Sequence, residues 1–114
     1  NNNEKLAPFI KELNMYLDKL ISFTTWIKDK IEKSKDDANA ASNDYLKVLG
    51  LIAIGHSWIK VLEVSFNDYN SNKEFYKDKI QTARFFFQRV LPRIDTHCTS
   101  AMSGSRYIMD FKFN

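Results

Sequence analysis

The sequence holds few of the residues that punctuate a chain. Among 114 residues there are three glycines, two prolines and one cysteine. So little turn chemistry excludes a many-stranded β fold and suits a few long helices. The single cysteine, Cys98, excludes an internal disulfide and points to a reducing compartment, read here as the cytoplasm. Long apolar runs are also scarce. The best, Val48 to Gly55, is too short to cross a bilayer, so no membrane span is expected. No signal-peptide pattern opens the chain, which starts Asn1-Asn2-Asn3 without an initiator Met and reads as a segment of something longer.

One-signed charge is missing too. Seventeen Lys and Arg stand against fourteen Asp and Glu, and the signs alternate for most of the length. Nucleic-acid binding calls for a concentrated basic face, so no nucleic-acid partner is expected. The apolar content, 44%, is that of a folded globular domain, and the length suits one domain rather than two.

What is present is helical periodicity. Leu6, Ile10, Leu13, Leu17, Leu20, Thr24, Ile27 and Ile31 step alternately by four and three, predicting a helix over about 4–33. Phe9, Tyr16, Phe23 and Trp26 widen its apolar face to what a helix in a globule needs. Pro8 belongs in or near the first turn. A polar break, Ser34 to Asp37, follows, with Asp36 or Asp37 as the expected cap of a second helix over about 38–66.

The middle of that second helix, V-L-G-L-I-A-I-G, is apolar nearly all round and is expected to be the most buried element. Tyr45, Leu49, Ile52, Ile59 and Phe66 keep helical spacing on both sides, which argues against a buried strand. Gly50, Ala53 and Ser57 form a small-residue stripe that would let a neighbouring helix approach closely. On that reading Gly50→Leu overpacks the bundle.

Asn67 to Asn72 is a turn cluster, and Ser71 with Glu74 matches a capping box for a third helix over about 72–103. Its seam is Tyr76, Ile80, Ala83, Phe87, Val90, Ile94 and Ala101. Pro92 inside it predicts a kink near Gln88 to Leu91. Gly104 suits the closing cap. An irregular aromatic tail covers 105–114. Short links make consecutive helices antiparallel, so the expected fold is an all-α, up-down-up antiparallel bundle of three long helices.

Candidate chemistry is thin. His56 and His97 share no metal-ligating motif, and on a helix the adjacent His97 and Cys98 point about 100° apart. A nucleophilic Cys98 would need a base such as His56; a small core residue is the plainer reading. No glycine-rich phosphate loop exists, and Asp44 and Glu63 read as solvated charges. The basic residues between Lys73 and Arg93 spread round their helix. Arg84 is the exception: set in A-R-F-F-F, it is expected to reach a carboxylate or backbone carbonyls rather than open water.

Two segments carry a resemblance. F-Y-K-D-K-I-Q-T-A-R-F-F-F-Q-R-V-L-P, Phe75 to Pro92, is similar to the pattern F-Y-x-x-K-[LI]-x-T-A-R-F-[FY]-x-x-x-[VL]-L-P. D-Y-L-K-V-L-G-L-I-A-I-G-H-S-W, Asp44 to Trp58, is similar to D-Y-L-[RK]-x-x-G-x-[VI]-x-x-G-x-x-W. Both resemble the C-terminal helical domain of a subgroup of acyl-CoA dehydrogenases, including long forms similar to 3-methylmercaptopropionyl-CoA dehydrogenase.

The resemblance implies a parent flavoenzyme that oxidises an acyl-CoA to the 2,3-enoyl-CoA with FAD and a glutamate base. It also implies that both lie in earlier domains. No catalytic, cofactor-binding or metal-binding residue carries over, so the chain alone is expected to bind no flavin and to be inactive. Its implied partners are the remaining domains of the parent, which is expected to be a homo-oligomer. Lys79 and Arg84 match charged positions and are expected in interhelical or interdomain ion pairs. Gly50, Ala53, Trp58 and Pro92 are the other expected structural positions. The alternative is a free-standing helical interaction module. The two readings differ in one observable, because a separated domain exposes a large apolar patch.

Overall fold

A computed structural model describes residues 2–102, and the expected tail and its Gly104 cap lie outside the described residues. No strand occurs among the described residues. Helix α1 covers Asn2–Lys33 and α2 covers Lys35–Asn67. A 3-10 turn, Tyr69–Ser71, leads into α3, Lys73–Phe85. A π turn, Phe86–Val90, continues α3 to Pro92, and α4 occupies 93–102.

The link between the first two helices is one residue long. Ser34 is extended (φ −154°, ψ 100°), and its hydroxyl accepts from the Asp37 N–H at 3.4 Å. The cap is therefore Ser34. Asp36 and Asp37 sit inside the first turn, where their charge favours the positive end of the helix. The chain reverses at Ser34. At the far end the Asn2 amide donates to Asn67 Oδ1 at 3.0 Å, so the two helices lie antiparallel along their whole length. The third helix is capped by Asn72, whose Oδ1 accepts from Phe75 N–H at 3.2 Å. Ser71 instead closes the 3-10 turn by donating to the Asp68 carbonyl.

Side-chain contacts give the direction of the third arm. Phe9 meets Phe87, and Lys19 pairs with Asp95, so α3 and α4 run parallel to α1 and antiparallel to α2. This is the expected up-down-up bundle. Its core joins Leu13, Tyr16, Phe23 and Ile27 of α1 to Val48, Ile52 and Leu62 of α2 and to Ile80, Phe87 and Ile94. The α1 seam is rotated from the expected one. Tyr16 and Phe23 lie at its centre, whereas Ile10 and Ile31 are exposed. The wide rings fill the space between three helices, and the aliphatic rim moves outward. Pro8 stands beyond the first turn because α1 starts at Asn2.

The kink at Pro92 has a clear mechanism. Proline has no N–H, so the carbonyl of Gln88 loses its helical donor. The ladder loosens before that point: Leu91 N–H donates to the Phe86 carbonyl at 2.8 Å, five residues back. It then tightens. Ile94 donates to Leu91 and Asp95 to Pro92, both at 3.1 Å and three residues back. The π turn lets Phe86 and Phe87, neighbours in sequence, both turn inward. Burying one such ring contributes roughly 1.5–3 kcal/mol. A lost helical hydrogen bond costs about 0.5–1.5 kcal/mol. The exchange favours the bend.

One expectation about α2 fails: Gly50 is not a contact between helices of the bundle, and the outer side of α2 is exposed. A Cβ on Gly50 would meet nothing within 4 Å, and Gly50, Ala53 and Ser57 are all exposed. The close approach is at Gly55. A Cβ there would lie 2.9 Å from Leu13 Cδ1 and 3.6 Å from Leu91 Cδ1, so both neighbouring arms touch the helix at that residue. Gly50→Leu, expected to overpack the bundle, meets no neighbouring arm there. Gly55→Leu should lower stability by about 1–3 kcal/mol through overpacking. Gly50→Ala should raise it by roughly 0.5–1 kcal/mol through helix propensity. Urea unfolding of both variants measures the pair; equal effects would place the contact wrongly.

Candidate functional site

The outward side of α2 is the feature the bundle leaves unexplained. Leu46 is 63% exposed, Ile54 49% and Val64 49%, with Leu49 beside them. Gly50, Ala53 and Ser57 run down the middle of this face, opposite buried Val48, Ile52, Gly55 and Leu62. The helix thus has two apolar faces and one set of neighbours. By length and composition alone it passes for a membrane span, with an 18-residue window of mean hydropathy 1.4, only 22% of it buried. The eight-residue run understated this because the apolar character continues past Gly55 through Trp58, Ile59, Val61 and Leu62.

Beside this face, a shallow groove of about 400 Å³ runs between α2 and α3, lined by Val61, Val64, Phe75 and Tyr76 with Lys60 and Lys79 at its edge. Lys79 lies over the Phe75 ring, 5.2 Å from its centre. It makes no interhelical ion pair among the described residues; the aromatic face takes the ammonium instead. Arg84 departs from expectation. It is exposed and unpaired among the described residues, because it lies at the solvent edge of the core line of Ile80, Ala83 and Phe87. Trp58 is half-buried against the core, and Pro92 marks the bend.

Asp44 and Tyr45, the start of one motif, act inside the bundle. Asp44 Oδ1 lies 2.9 Å from His97 Nδ1, with both side chains about four-fifths buried, which ties α2 to α4. Asp44 is therefore not a solvated charge. Its partner stands 53 residues away, and no local pattern announces it. The Tyr45 hydroxyl meets Thr24 Oγ1 at 2.7 Å, and its ring packs edge-on to Phe23 at 5.1 Å. The D-Y pair thus joins all three arms of the fold.

No three metal-ligating side chains gather among the described residues. His56 is exposed on α2, and Cys98 is half-buried beside Asp18, Lys19, Ser22 and Met102. Burial first, then the Asp95 carboxylate, raises the Cys98 thiol above its ordinary pKa. A raised pKa lowers the thiolate fraction at neutral pH, the reverse of what a nucleophile needs. The described residues do not fit FAD either. Their depressions are open to solvent and edged by long flexible side chains, whereas a bound ring system needs a concave, mostly enclosed pocket.

A family model described as acetyl-CoA dehydrogenase C-terminal like matches residues 1–112. The chain belongs to this family. No curated protein and no solved structure matches it. Membership makes the chain a C-terminal-like domain with an accessory role, and the family description implies a dehydrogenase-like parent. It also gives the apolar face of α2 a context, since a C-terminal domain of this kind has other domains to meet.

The thiol supplies a direct check. Because its pKa is raised in the folded chain, iodoacetamide labelling of Cys98 at pH 8 should be several-fold slower than in urea. Equal rates would contradict an inert, half-buried thiol.

Proposed function

We propose that this acetyl-CoA dehydrogenase C-terminal-like domain is the accessory domain of a FAD-dependent acyl-CoA dehydrogenase of the long-form subgroup. In this reading the parent oxidises an acyl-CoA to the 2,3-enoyl-CoA, and the domain packs on the catalytic domains or across a subunit interface without taking part in the chemistry. The single observation that supports it is the second apolar face of α2. Leu46, Leu49, Ile54 and Val64 border the shallow channel made by Gly50 and Ala53. A channel of small residues accepts a helix or ridge at close range, and leaving such a face in water is unfavourable by roughly 25 cal/mol per Å² of apolar surface.

The family assignment favours a protein covering over a lipid one. The inner side of the same helix is already committed to protein contacts and holds the Asp44–His97 pair. The parent is proposed as a cytoplasmic homo-oligomer, a compartment that suits a free Cys98.

The product of the complete gene should bind FAD and lose its yellow colour when an acyl-CoA is added without an electron acceptor. Replacing Leu46 and Ile54 by Glu in that product should leave the helical content unchanged but weaken assembly or heat stability of the flavin-loaded protein. A complete product that is colourless and indifferent to acyl-CoA would overturn the proposal and favour a free-standing interaction module.

A further inference from the structure

The outer side of α3 and its continuation past Pro92 carries a second surface, chemically unlike the apolar face of α2. Arg84, Arg89 and Arg93 border an open depression of about 730 Å³, with the Phe85 ring, 60% exposed, standing between them. A smaller depression of about 300 Å³ adjoins it through Arg84 and adds Lys5 and Lys77. No carboxylate lines either one, and none of these five cations makes an ion pair among the described residues. Elsewhere Lys19 and Lys33 are matched by Asp95 and Asp29. Sequence alone had these charges spreading round the helix. The π turn adds a residue to the spacing between Arg84 and Arg93, and the two then line the same depression.

We propose that this face docks a carboxylate-rich protein surface with an apolar recess that receives Phe85. The donors are chiefly guanidiniums, whose planar forks bind carboxylates in a bidentate way that ammonium groups cannot reproduce. An aromatic ring among arginines is the composition enriched at protein interfaces. The openness of the depression favours a macromolecular surface over a small ligand, which takes a concave site. A second copy of this chain is a poor source of the partner, since the carboxylates of its α1 are interspersed with lysines. The proposal is independent of the parent reading: a free-standing module would dock its partner through the same five cations.

The test is fluorescence anisotropy of the full chain with a labelled Glu-rich amphipathic helix bearing one leucine stripe. Its counterparts are a Gln-for-Glu version and a single-stranded oligonucleotide of equal charge. The acidic helix should bind, the Gln version should not, and added salt should weaken the complex. Arg89→Gln with Arg93→Gln should weaken binding by about tenfold. Phe85→Ala should weaken it at unchanged salt dependence. Lys60→Gln with Lys79→Gln, on the α2–α3 groove, should change nothing. Circular dichroism confirms that each variant folds. Equal binding by the arginine variants and the unmodified chain, an unchanged Phe85→Ala variant, or tighter binding of the oligonucleotide would overturn the proposal.

Discussion

The molecule is organised by one constraint: α2 is apolar on opposite sides, and the bundle covers only one of them. Its inner side sets the spacing of the other helices. Gly55 lets Leu13 and Leu91 approach the helix axis, and Val48, Ile52 and Leu62 complete the core around Phe23 and Phe87. Its outer side, from Leu46 to Val64, stays largely exposed among the described residues. A bundle of this size cannot wrap a third long helix completely, since each helix has only two others to touch. The unburied side is therefore a property of the architecture as well as of the sequence.

The bend at Pro92 is the second organising feature, and it is coupled to the first. Phe86 and Phe87 are both buried at the π turn. The turn seats Phe87 edge-on against Phe9 at 5.1 Å and brings Leu91 to Gly55. The same turn carries Arg89 and ends near Arg93, so one backbone irregularity shapes both the core and the basic face. Polar ties hold the register of the ends. Asn2 with Asn67, Asp44 with His97 and Lys19 with Asp95 each join different arms. The Lys19–Asp95 pair is largely solvated, so it fixes alignment more than it adds stability, at under about 1 kcal/mol.

Much of this is readable from residues alone, for identifiable reasons. The four-three spacing of α1, the polar break at Ser34 and the proline at position 92 are local signals, and local signals predict helices, their order and the kink. Contacts between distant residues are not local. Asp44 and His97 are separated by 53 positions, and the choice between Gly50 and Gly55 as the tight contact depends on how α2 is rotated, which a helix apolar all round does not reveal. Arg84 misled for a related reason. Apolar neighbours in sequence do not bury a residue that faces away from them, as the exposed Phe85 beside it also shows. Caps shifted by one to three residues because Ser34 and Asn72 compete with equally good capping residues nearby.

The central claim is that the outer face of α2 is covered by protein when the domain sits in its parent. Ala53 is exposed at the middle of that face, and a thiol placed there reports its surroundings directly. With Cys98→Ala as background, Ala53→Cys should react rapidly with maleimide in the isolated chain. In the intact product of the complete gene it should react many-fold more slowly. Equal, rapid labelling in both would contradict the account.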